Sequence, residues 1–258
     1  MTEEQYNIAK DLYLKEEKSL TYIGKTLHID RGKLSNKFKE NGIEVINRQN
    51  IAKFNQDIFS KINTEEKAYW LGFLYADGYV GTKQNEVELA LKSSDVHHLE
   101  KFRDFLGFSK DKHIFQNEIR CRISFRNKKI RQDLINLGCI PQKSLVLTFP
   151  NKQQVPSYLI PHFVRGYIDG DGSIMIGPKY TPRLNILGTY DFLYSLIKQM
   201  GWKENKISYK NRQEQIGVCS IEWGGRYVMN YLDDIYKNAN IYLDRKYEKY
   251  QILKNNNN

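Results

Sequence analysis

Cysteine is scarce in this chain: Cys121, Cys139 and Cys219 are its three, far apart and without a CxxC pair. That spacing excludes a zinc ribbon and a disulfide framework and suits a reducing compartment. Long apolar runs are missing too, since none approaches the roughly 20 residues needed to cross a bilayer. The opening MTEEQYNIAKDLYLKEE mixes acids and bases without an apolar h-region, unlike a signal or transit peptide. A soluble cytoplasmic chain with no membrane partner is therefore expected. Acids are in deficit, 30 against 40 Lys and Arg, for a net charge of +10. Such a surplus points to an anionic partner, of which nucleic acid is the commonest. With 258 residues the chain can bury one large core or two modest ones.

Four stretches can be distinguished. Residues 1–48 predict a small all-α segment: a first helix over 3–17, then two short helices in SLTYIGKTLHIDRGKLSNKFKENGI. Ser19 and Asp30 are placed to cap those two, and Asn41-Gly42 to end the second. The pattern resembles a helix-turn-helix, with His28 where the turn usually carries glycine. Its second helix would expose Arg31, Lys33, Asn36 and Lys37 to DNA. Residues 49–62 lack a sustained period and suggest a linker.

From 63 onward the chain repeats itself, as 63–152 and 153–258. Each half opens with an apolar helix and continues with two strands, a helix, two strands and a closing helix. The second helices are expected at 95–108 and 190–202, and the closing ones at 128–139 and 226–240. The fold class is thus α+β, a pseudo-twofold duplicated αββαββα architecture. In RCRISFR, Arg120, Arg122, Ser124 and Arg126 alternate with Cys121, Ile123 and Phe125, so the basic set shares one face of a strand. An outward basic ribbon suits the major groove, where Arg pairs bidentately with guanine. In the second half Lys210, Arg212, Gln213 and Gln215 surround a hairpin tip, and Arg183 and Asn185 lie on another strand. His97 and His98, at a helix start, are expected at the surface.

The two openings align as WLGFLYADG (70–78) and VRGYIDGDG (164–172). Gly72 and Ala76, like Gly166 and Gly170, are small residues four apart, which flatten one face of a helix for close packing. Each helix then stops at a cap glycine, Gly78 or Gly172, directly after an aspartate, Asp77 or Asp171. Carboxylates are misplaced at the negative end of a helix. Two of them brought together there by parallel packing make sense as a divalent-metal site, and oxygen ligands favour Mg²⁺. The sixth motif position is Tyr75 in one copy and Asp169 in the other, which makes Asp169 a local structural group rather than an obligatory ligand.

Both nine-residue motifs, and the element order over about 63–250, resemble the LAGLIDADG homing endonucleases. The resemblance implies a saddle of two antiparallel four-stranded sheets over double-stranded DNA, with the paired helices at its centre. It implies Mg²⁺, with Mn²⁺ as a substitute, held by Asp77 and Asp171 with the backbone carbonyls of Ala76 and Gly170. It places a lysine near each metal: Lys143 in LGCIPQKSLVLTFP and Lys246 in YLDRKYEKY. It implies a monomeric endodeoxyribonuclease that makes a staggered break in a long asymmetric site, in a bacterial or phage-infected cell or an organellar matrix. No HNH or GIY-YIG arrangement and no splicing block of an intein is present. Alternatives within the same fold are an RNA-splicing maturase and a cleavage-deficient transcription regulator.

Overall fold

The computed structural model describes residues 1–16, 18–43, 45, 54–110, 112–209 and 217–257. The chain divides into two compact units, 1–53 and 54–258.

The smaller unit holds α1 (Glu3–Leu14), α2 (Leu20–Leu27) and α3 (Arg31–Glu40). Thr2 and Gln5 close a capping box on α1, Ser19 accepts from the Tyr22 N–H, and Asp30 from that of Lys33. His28 itself adopts the left-handed conformation, with φ of 53°. That costs roughly 1 kcal/mol in a residue with a Cβ. Glycine is needed one turn earlier, because a Cβ on Gly24 would lie 2.7 Å from the Ile29 carbonyl oxygen. Tyr6, Ala9, Tyr13, Ile23, Leu34 and Phe38 form this unit's own core, with the Tyr13 and Phe38 rings 5.0 Å apart.

The larger unit repeats one order of elements. Its first half is α4 (Glu65–Asp77), β1 (Gly78–Val80), β2 (Glu86–Lys92), α5 (Val96–Phe105), β3 (Phe115–Gln116), β4 (Arg120–Arg126) and α6 (Lys128–Asn136). Its second half is α7 (Ile160–Asp171), β5 (Gly172–Ile176), β6 (Pro182–Gly188), α8 (Tyr190–Met200), β7 (Ser208–Tyr209), β8 (Cys219–Gly224) and α9 (Val228–Tyr236). A last helix, α10 (Asp244–Asn257), is an addition to the order expected from sequence. Two antiparallel four-stranded sheets result, β1-β2-β4-β3 and β5-β6-β8-β7. Alternation sets their facing: Cys121, Ile123 and Phe125 of β4 point into the core while the arginines between them stay outside. Within 54–62, Ile58, Phe59 and Ile62 are buried in the same core.

At the centre α4 and α7 touch backbone to backbone. A Cβ on Gly72 would lie 1.9 Å from the Phe163 carbonyl oxygen, and one on Gly166 would lie 1.9 Å from that of Tyr69. Phe163 is to α7 what Tyr69 is to α4, so the two approaches are reciprocal. Further along, a Cβ on Gly170 would come 2.3 Å from the Ala76 Cβ. This register makes the helices parallel. Residues 68–75 of α4 are all buried, as expected of a helix that is apolar on every side. Gly78 and Gly172 cap their helices as expected, in extended conformation with φ of −73° and −94°. Their lack of a side chain matters because a Cβ at either would sit 2.6 Å from the carbonyl oxygen of Leu74 or Ile168.

Gly166→Ala forces the two helices apart. We expect it to cost about 3 kcal/mol or more and to lower the thermal midpoint by roughly 6–12 °C, measured by circular dichroism.

Candidate active site

Parallel packing delivers Asp77 and Asp171 to the same end of the helix pair. A Cβ on Gly170, the residue before Asp171, would lie 3.3 Å from Asp77 Oδ2. The Asp77 side chain reaches solvent, yet protein surrounds it on its other sides. This burial, reinforced by the Asp171 carboxylate, pushes its pKa from the ordinary 3.8 up to about 6, against the pull of Lys246, Lys143 and Arg245. Asp171 lines a cavity of about 290 Å³ with Tyr75, Ala76, Lys143, Leu147 and Tyr167. A larger cavity, about 710 Å³, lies beside Glu65 and Glu66 at the other end of α4, away from these groups.

The two lysines expected beside the carboxylates are there, and both are buried. Lys246, on α10, donates from Nζ to the carbonyls of Ile168 (2.6 Å), Asp169 (2.7 Å) and Gly172 (2.7 Å), with that of Gly170 at 3.3 Å. Burial pushes it down to about 8, with Asp169 opposing, so it is a cation at neutral pH. Lys143 donates to the Gly78 carbonyl. In the first half the carbonyl equivalent to Ile168 is that of Leu74, which accepts from the Cys139 thiol at 3.4 Å. The misplaced carboxylates are thus offset by cations plugged into the helix ends beneath them.

Behind this layer the halves differ. Asp169 is fully enclosed and accepts from the hydroxyls of Tyr69 (2.8 Å) and Tyr236 and from the Leu243 N–H (2.8 Å). That is the structural role expected of it. Tyr75, its counterpart, donates to the Leu137 carbonyl. His98 departs from expectation: it is buried, 2.9 Å from the Tyr69 hydroxyl, and burial drives its pKa down to about 3, so the ring is neutral. Only His97 is exposed. Its helical phase with Leu99 and Phe102 was the available signal for His98. Arg165 was also missed. It is 1 % exposed and donates to the carbonyls of Ile241 and Ile235 (both 2.8 Å) and to Glu65 Oε1 (2.7 Å), which ties α7 to the start of α4.

No protein-family model matches the sequence, and no curated relative does. Solved structures do match. The meganuclease I-SmaMI bound to uncleaveable DNA aligns with a TM-score of 0.51 at 13 % identity, over 72 % of this chain and 88 % of that one. The I-SmaMI LAGLIDADG homing endonuclease bound to cleaved DNA aligns at 0.47 and 12 % identity, over 76 % of this chain and 89 % of that one. The fold is that of the LAGLIDADG homing endonucleases. The LAGLIDADG homing endonuclease I-LtrWI bound to target DNA aligns at 0.48 and 13 % identity, over 78 % of this chain and 89 % of that one.

Within this LAGLIDADG fold, Arg120, Arg122 and Arg126 are exposed on the outer face of the first sheet and Ser124 is half-buried there. Arg183 is exposed and Asn185 half-buried on the outer face of the second. Acids accompany them: Arg122 Nη1 lies 3.4 Å from Glu88 and Arg183 Nε 3.5 Å from Glu222. Arg31, Lys33, Asn36 and Lys37 are exposed on α3 of the smaller unit. Lys210, Arg212, Gln213 and Gln215 lie outside the described residues.

The raised pKa of Asp77 has a stability consequence with a definite sign. Its proton is held more tightly in the folded chain, so folding stability from this group is lost as pH rises from about 4 through about 6. Asp77→Asn is expected to melt higher than wild type at pH 7 in chelator, with the gap closing by pH 4. Magnesium at pH 7 should raise the wild-type midpoint more than that of Asp77→Asn, both read by differential scanning fluorimetry.

Proposed function

We propose that this chain is a site-specific DNA endonuclease, acting as a monomer on a long asymmetric duplex target with Mg²⁺, which Mn²⁺ can replace. One observation carries the reading: the convergence of Asp77 and Asp171 at the ends of the touching helices. The donor set fits a hard divalent cation. It consists of two carboxylates and the neighbouring carbonyls of Ala76 and Gly170, with no group of three or more His, Cys, Asp or Glu side chains among the described residues. Such a set leaves coordination positions for water and phosphate oxygens. A divalent cation held there would acidify a bound water and offset charge on the departing 3′ oxygen.

The chain's own residues supply positioning. The Asp77 and Asp171 carboxylates orient what lies between them, while Lys143 and Lys246 add positive charge beside the scissile phosphates. Two such centres, one for each strand, lead to hydrolysis across the minor groove and a staggered break. The outward arginines of β4 and β6 read bases and phosphates on either side. Because the halves differ in sequence, the target is asymmetric. The exposed cations of α3 add a second DNA contact, in the manner of a recognition helix.

A randomised duplex library incubated with the protein and Mg²⁺ tests the reading. Wild type should release breaks with a fixed overhang at one family of sequences. Asp77→Asn and Asp171→Asn should lose more than the roughly 10²-fold that a lost outer-shell partner costs. Tight binding without nicking would instead indicate a regulator, and stimulated splicing of a host intron a maturase.

On the selected target, Arg122→Ala should cost about 1–3 kcal/mol and relax preference at one base pair. Lys37→Ala should weaken all sequences alike and reduce the salt slope by about 1. Fluorescence anisotropy across a salt series separates the two.

A further inference from the structure

We infer that α10 braces a longer hairpin in the second half, so that Lys179 and Tyr180 at its tip contact the DNA backbone beyond the reach of the first half. Lys249 and Asn257 of α10 are the positioning residues for that contact, and the two arms of the target are of unequal length. This inference rests on the duplex-binding part of the reading above and deepens it.

The halves depart from one another directly after their motifs. Both first strands start at the last glycine of the motif, yet β1 has 3 residues and β5 has 5. The difference carries the second hairpin roughly 7 Å further from the helix pair, about two base-pair steps. β5 is an edge strand, and a longer edge leaves more backbone groups without a partner. Here α10 covers it. Lys249 Nζ donates to the Ile174 carbonyl (2.9 Å), and about two turns later Asn257 Nδ2 donates to the Tyr180 carbonyl (2.9 Å). The Asn257 amide is itself fixed by a second bond to the Leu253 carbonyl at 2.9 Å. The helix is anchored independently of the hairpin: the Tyr250 hydroxyl (2.8 Å) and the Lys254 ammonium (2.7 Å) both donate to Asp233 Oδ1 on α9. In the first half the segment from Lys143 forms only a short turn over Lys143–Leu145.

The braced tip is strained. Lys179 (φ 52°, ψ 37°) and Tyr180 (φ 55°) are both left-handed. Consecutive positive φ values are what a type I′ turn requires, and Asn-Gly is the pair that adopts them readily. The Thr181 N–H closes this turn on the Pro178 carbonyl at 3.1 Å. Between β1 and β2 the positive φ falls instead on Asn85, a residue type that tolerates it. Strain of this kind persists where the surroundings enforce it, and it gathers at binding sites. What the second hairpin gains is two exposed side chains, an ammonium and a phenol, on the sheet whose outer face carries Arg183 and Asn185. Lysine and tyrosine both donate to phosphate oxygens. A tip held in place beforehand loses less freedom on binding.

Hydroxyl-radical footprinting and fluorescence anisotropy test this, on a duplex selected by binding from the randomised library and with Ca²⁺ in place of Mg²⁺. Wild type should protect one arm for about two base pairs more than the other. Lys179→Ala should shorten that arm and reduce the salt slope by about 1. Asn257→Ala leaves both tip side chains in place. It should weaken binding several-fold and blur the same protection at an unchanged thermal midpoint, while bound duplex in Mg²⁺ is cut at the wild-type rate. Lys179→Asn combined with Tyr180→Gly should melt several degrees higher and yet bind several-fold more weakly. Arms of equal length would overturn the inference, as would wild-type affinity in the Asn257→Ala protein or in the double variant. Should Asn257→Ala melt lower, the double variant still decides. A wild type that binds without cutting defeats the nuclease reading alone; one that protects no duplex defeats both.

Discussion

The central helices of the larger unit meet main chain to main chain: the Phe163 carbonyl sits where a side chain of residue 72 would begin, and the Tyr69 carbonyl where one of residue 166 would. Contact this close admits only glycine, and its reciprocity locks both the spacing and the register of α4 and α7. Everything at the far end of the pair inherits that register. Asp77 and Asp171 converge because they lie at equal distances beyond reciprocal contacts, and each sheet begins immediately after its helix, at Gly78 or Gly172. Arg165 reinforces the other end. A buried guanidinium is costly unless its donors are met, and here two carbonyls and Glu65 meet them.

The price of the arrangement is electrostatic. Carboxylates follow helix C-termini, where the backbone already presents negative ends, and each raises the energy of the other. The chain compensates from beneath, placing ammonium groups on the terminal carbonyls. The raised pKa of Asp77 follows from this layout, because burial and the neighbouring Asp171 carboxylate both disfavour its charged form.

Much of this was legible in the sequence because it depends on local period. Small residues four apart, repeated in two copies, announced the helix contact; strict alternation over Arg120–Arg126 announced the outward ribbon. What escaped depends on which element lies opposite. His98 reads as half of an exposed pair until Tyr69 is known to face it. Arg165 reads as a surface charge within a motif until α4 and the segment after α9 close over it. Cys139, far from the other thiols, gave no hint that it donates to a carbonyl of the first motif. Glycine caps were expected at the ends of both motif helices and stand there. The real constraint at Gly78 and Gly172 is steric and comes from the turn before.

The arginine ribbons show a related economy. Arg122 and Arg183 each have an acid beside them, Glu88 at 3.4 Å and Glu222 at 3.5 Å, both long contacts on partly exposed side chains. Pairs of this kind contribute about 0–1 kcal/mol, so a polyanion can displace the acid at little cost. The acids nonetheless remain on the surface after the exchange. A phosphate or base acceptor placed over the arginine is favoured, and one placed over the glutamate is repelled. On the proposed duplex, net positive charge would supply attraction while interleaved glutamates would penalise the wrong register, so the same face would serve both attraction and discrimination.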